Sequence, residues 1–71
     1  MPKVFYVITE ADVTGREHYV TTKASKSDAE KFIRADYPNA RKDSTHSDFD
    51  RFYCEDKSGH DFLMFVREKV I

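Results

Sequence analysis

The chain has no tryptophan, a single cysteine, and only two glycines and two prolines among its 71 residues. Each scarcity removes a class of protein. One cysteine, Cys54, cannot close an internal disulfide, which points to a reducing compartment and away from a disulfide-stapled secreted fold. Two glycines are too few for a phosphate-cradling loop, and so little glycine and proline argues against a disordered or loop-dominated chain. Charge of one sign is lacking as well, since twelve basic residues against thirteen acidic ones leave a net −1. That balance speaks against a protein held on DNA by charge alone, and equally against an acidic mimic of DNA. No apolar run approaches the length of a membrane span. Residues Met1 to Ile8 carry one basic side chain and no small-residue cleavage site, so they read as a first strand and not as a signal peptide. The expected location is the cytoplasm.

What is present is aromatic. Six Phe and four Tyr supply most of the core that a chain of this size can assemble. The length fits one domain, residues 1–71, which buries only about 60% of the surface its unfolded form exposes. Val4 to Thr9 is a β-branched and aromatic run of strand composition. Asp12-Val13-Thr14-Gly15 suits a type I turn followed by a left-handed residue, and His18 to Lys23 returns as a second strand. The Ser27-Asp28-Ala29-Glu30 segment fits a capping box that opens a helix. Ala29, Phe32, Ile33 and Tyr37 share one helical face, Glu30 and Arg34 are spaced as an exposed pair, and Pro38 stops the helix near Tyr37. Ala40 is expected to pack just past that stop. Arg41 to Asp48 is polar and aperiodic and reads as a connection. Phe49 to Glu55 and Phe62 to Lys69 form a second hairpin around Asp56-Lys57-Ser58-Gly59, which repeats the Asp-x-x-Gly pattern. The expected fold is α+β, in the order ββαββ: a four-stranded, mainly antiparallel sheet of two hairpins with one helix on one face.

Strand alternation divides the side chains into two sets. Val4, Tyr6, Ile8, Val20, Phe52, Cys54, Phe62, Met64 and Val66 are assigned beneath the helix. The opposite face then carries Phe5, Val7, Tyr19, Tyr53, Leu63 and Phe65, interleaved with Lys3, Lys23, Arg51, Arg67 and Lys69. One short helix shields one face only, so the other is either an interaction surface or is covered by long Lys and Arg stems and by the 41–48 connection.

Several chemistries find little footing. Cys54 reads as a small buried apolar group; its nearest histidine, His60, falls opposite Asp56 or Glu55 and not opposite Cys54, so a nucleophilic pair is not expected. His18, His46, His60 and Cys54 lack ligand spacing for zinc. Asp43, His46, Asp48 and Asp50 lack the central glycine and terminal glutamate of a calcium loop and read as a solvated acidic loop. No catalytic residue, metal or cofactor is expected. Aromatics flanked by arginine on an open sheet are one way of stacking single-stranded bases, yet no RNP-type motif is present and that fold opens strand–helix–strand.

From Tyr19 to Arg41 the chain runs strand, Ala24-Ser25-Lys26-Ser27-Asp28-Ala29-Glu30, short helix, then Tyr37-Pro38-Asn39-Ala40. This stretch resembles small bacteriophage-encoded proteins, including the inhibitor of host RNA polymerase and some anti-CRISPR proteins. The resemblance implies a compact inhibitor that acts by occupying a host protein, without catalysis. The expected function is therefore a non-enzymatic protein-binding module whose contact residues are Phe5, Tyr19, Tyr53, Phe65, Arg51 and Arg67, since aromatics and arginine anchor such contacts. Two alternatives use the same face: single-stranded nucleic-acid binding, and a homodimer that buries two outer faces together.

Overall fold

Turn chemistry fixes the two hairpins first. In the computed structural model, which describes residues 3–45 and 48–71, Gly15 and Gly59 both adopt positive φ, +85° and +83°. Their amides donate to the carbonyls of Asp12 and Asp56 at 2.9 and 3.0 Å. The carboxylate of each Asp also accepts backbone amides: those of Thr14 and Arg16 for Asp12, and those of Ser58 and His60 for Asp56. A left-handed residue at the fourth position suits glycine, so the matched Asp-x-x-Gly sequences close matched turns.

These turns join β1 (Val4–Ala11) to β2 (Glu17–Lys23), and β4 (Phe49–Glu55) to β5 (Asp61–Val70); α1 (Lys26–Asp36) and β3 (Arg41–Asp43) lie between the hairpins. The element order is therefore ββαβββ, and the five strands form one antiparallel sheet in the order β2-β1-β5-β4-β3. The α+β class holds, but the expected ββαββ order with four strands is short by one. The missing strand lies in the stretch read as a connection: Arg41, Lys42 and Asp43 pair with Tyr53, Phe52 and Arg51. Three charged residues carry no strand signal of their own, and only the neighbour they find makes them one. Among the described residues no helix is long and apolar enough to cross a membrane.

The helix is capped two residues earlier than expected. Ser25, in extended geometry, accepts the Asp28 amide on its hydroxyl at 3.1 Å. Ser27 is already inside the helix, so no capping box forms, and Glu30 instead faces Lys42 at 3.1 Å and Arg34 at 3.5 Å. The end is as expected. Tyr37 caps the helix, its amide donating to the Ile33 carbonyl. Arg34 Nη1 then donates to the Ala40 carbonyl at 2.7 Å and so ties the helix to the start of β3.

Ala29 and Ile33 drive the helix onto the sheet. They pack with Ile8, Ala40, Phe52, Cys54, Met64 and Val66 in one buried cluster, against which Tyr6, Phe32, Tyr37 and Phe62 are half-buried. Two residues assigned beneath the helix are exposed instead. Val4 pairs with Val70 at the far end of the sheet and is exposed. Val20 is exposed because the register slips there: Ile8 faces Thr21 while Thr9 faces Tyr19, and Val20 has no opposite partner. A one-residue bulge reverses the alternation beyond it. Lys23, expected on the outer face, consequently sits opposite Tyr6 on the helix side, with its ammonium 5.0 Å from the centre of the Phe32 ring.

Candidate protein-binding face

β4 and β5 are regular, so residues 49, 51, 53 and 55 share a face with 61, 63, 65 and 67, away from the helix. The register carries this face across the whole sheet. One row runs Tyr19, Thr9, Phe65, Arg51, Asp43, and the next Glu17, Ala11, Leu63, Tyr53, Arg41. A third places Thr22, Val7, Arg67 and Phe49 side by side, and Phe5 lies beyond it opposite Lys69. All six expected contact residues, Phe5, Tyr19, Tyr53, Phe65, Arg51 and Arg67, therefore lie on one face.

Among the described residues no element covers this face, yet most of its apolar groups are half-buried, because arginine stems lie across them. Arg67 places its guanidinium 4.7 Å from the Phe49 ring centre and 5.1 Å from that of Phe65. Phe49 and Phe65 meet edge-on at 5.5 Å. Arg51 and Arg41 both approach Tyr53, at 5.3 and 5.6 Å. Residues Arg41 to Asp43, expected in a connection over the aromatics, instead extend the sheet edge and lend Arg41 to the face. Tyr19 and Tyr53 project furthest, at 68% and 39% exposure.

Acids on the same face neutralise two of the three arginines. Arg67 Nη2 and Nε donate to Glu17 at 2.6 and 3.1 Å, and Thr9 donates to the same carboxylate. Arg51 Nη2 donates to Asp43 at 2.9 Å, leaving Arg51 Nε buried and without a hydrogen bond. Arg67 holds the Glu17 carboxyl below its usual value, and Arg51 with the Thr45 amide holds Asp43 far below the carboxylate range. Both acids stay charged near neutrality, and so the face is nearly balanced in charge.

Alternation in β4 carried a signal for Phe49, which belongs with Arg51 and Tyr53. Glu17 and Asp43 had none, because their role is to answer arginines on other strands. Arg41 had none either, since its strand is invisible locally.

The remaining candidate chemistries stay dispersed. Cys54 is buried, its thiol pushed up to about 11 mainly by that burial, with Glu10 adding in the same direction. His60 stands 82% exposed at the second turn, against Asp56, while Cys54 lies opposite Phe62. Among the described residues no three His, Cys, Asp or Glu are placed to hold a metal ion. Asp43 is engaged by Arg51 and the nearly buried Asp50 faces Lys42 at 4.0 Å; His46 lies outside the described residues. Comparison of the chain with protein-family models, curated proteins and solved structures finds no match.

Proposed function

We propose that this is a non-enzymatic protein-binding module that engages its partner with the outer face of the sheet. The observation that carries the reading is the gathering of Phe5, Tyr19, Tyr53, Phe65, Arg51 and Arg67 on a face that no element among the described residues covers. Tyr and Arg held rigid by their neighbours are suited to this task, because little side-chain freedom is left to lose on binding. The likeness of the 19–41 stretch to phage-encoded inhibitors supplies the class: a cytoplasmic inhibitor that occupies a host protein, such as a defence complex or RNA polymerase.

Charge separates this reading from single-strand binding. A nucleic-acid platform needs unpaired cations along the aromatic row, and Glu17 and Asp43 already hold Arg67 and Arg51. A protein interface uses such pairs for orientation at little cost.

Capture from bacterial lysate, comparing the wild type with Tyr53→Ala and Phe65→Ala, tests the proposal. Loss of the same partner in both variants is expected. If both retained every partner, the face would be wrong. Oligonucleotide binding that weakens steeply with salt would move the assignment to nucleic acid, and a stable dimer in light scattering would move it to self-association.

A further inference from the structure

Two central rows of the outer face, one through Phe65, Arg51 and Asp43 and the other through Leu63, Tyr53 and Arg41, run side by side across the sheet. They complement each other. A second copy, turned end for end about a two-fold axis between the rows, lays each row on the other. Phe65 then covers Leu63 of the second copy, Arg51 covers its Tyr53, and Asp43 covers its Arg41. One row further out, Arg67 comes over its Asp61, since these residues stand one row beyond the central pair on opposite sides. Glu55, opposite Asp61 in the chain, falls over Phe49 of the copy, where the Arg67 guanidinium lies.

The match answers two charges that the chain leaves open. Arg41 and Asp61 are exposed, and neither has an ion-pair partner among the described residues. In the pair each gains an opposite charge, and Arg51 gains a second aromatic face. Placement of the axis decides this. On the first row it would set Arg51 and Asp43 each against itself, and on the second row it would do the same to Arg41. Only between the rows does like charge avoid like.

Five strands about 4.8 Å apart and four rows about 7 Å apart give roughly 600 Å² on each copy. Two such faces stack at about 10 Å with their strands within about 30° of each other. The total area is at the low end for a specific interface, and the centre holds charges that the cores of tight interfaces lack. Such a pair is reversible.

We infer that in the free chain the outer face is covered by a second copy in this two-fold arrangement. The inference rests on that face being the protein's interface and adds its regulation: a partner gains the face by displacing the copy.

Sedimentation velocity of the intact chain from about 10 µM to about 1 mM tests it. The mass should rise from monomer toward dimer. Over the same range the amides of Tyr53, Leu63 and Phe65 should shift in NMR spectra, while those of Ala29 and Ile33 stay still. Arg41→Asp sets carboxylates against each other across the axis, and Asp43→Lys sets cations, so each variant alone should associate at least tenfold more weakly. Mixed in equal amounts, the two should regain wild-type association, because each then meets the charge it lost. A chain that stays monomeric to about 1 mM, shifts confined to the helix or to the free edge of β2, or no recovery in the mixture overturns the inference. Monomer throughout, with capture still lost in Tyr53→Ala and Phe65→Ala, leaves the outer face standing as the interface for another protein. A dimer that persists at micromolar concentration keeps the pairing and removes the separate partner.

Discussion

Arg67 and Glu17 lie fifty residues apart in sequence and meet through two hydrogen bonds, bridging β5 to β2 over the intervening β1. The same guanidinium lies against Phe49 and Phe65, so one side chain serves as ion-pair partner and as cover for two rings. Removing it uncovers more than a charge. Arg67→Ala should lose about 1–2 kcal/mol in urea unfolding, combining an exposed ion pair with two ring contacts. Glu17→Gln, which keeps the rings covered, should lose about 0.5 kcal/mol. Equal losses would show that the ring contacts contribute nothing. Arg67→Lys should restore little, because an ammonium lacks the planar fork.

Acid should weaken the fold through the same pair. Glu17 has its folded pKa lowered, chiefly by the Arg67 hydrogen bond, so its contribution is complete above the ordinary glutamate value of 4.5 and is lost as pH falls through the folded value. Asp12 and Asp43 are shifted the same way, by Thr14 with His18 and by Arg51 with Thr45. The urea midpoint should therefore fall between neutrality and pH 3. In Glu17→Gln the fall should be shallower but still present; an unchanged slope would remove Glu17 from the account.

The helix cap gives a paired comparison. Ser25→Ala should cost about 1 kcal/mol, since the Asp28 amide loses its acceptor. Ser27→Ala should be neutral or slightly stabilising, because alanine is the better helix former inside the first turn. The reverse order in thermal melts would restore Ser27 as the cap.

Cys54 should be inert while the chain is folded. Its thiol, pushed up to about 11 by burial, is almost wholly protonated at pH 8, and its sulfur is shielded from reagent. Labelling with a disulfide reagent at that pH should run at the rate of opening and jump once urea passes the unfolding midpoint. Rapid labelling of the native chain would contradict the packing described.

The hairpins were legible because their instructions are local. Asp12 and Gly15, like Asp56 and Gly59, need nothing beyond their own turn. The helix face was legible through spacing, and the outer-face residues of β1, β4 and β5 through regular alternation. Three features were not. Arg41 to Asp43 become a strand only by meeting Arg51 to Tyr53. Ser25 and Ser27 both suit a cap, and where the chain leaves β2 decides between them. The Val20 bulge leaves no mark on the sequence, so simple alternation misplaces both Val20 and Lys23. Legibility failed where a distant partner does the deciding.

The strand order holds one further consequence, and it concerns time. Each hairpin can form from neighbours in sequence, but the sheet is whole only when β1 aligns on β5, with Val4 opposite Val70 and Ala11 opposite Leu63. That central seam closes the chain between Ala11 and Leu63 into a loop, and such closures are slow to find. Until residues 61–70 arrive, β1 has one open edge at what will become the middle of the molecule, and Ile8 has no Val66 to rest beside. A nascent chain in that state is a half-sheet seeking a strand. Of the five strands of this sheet, the last to be synthesised is thus the one that commits the others.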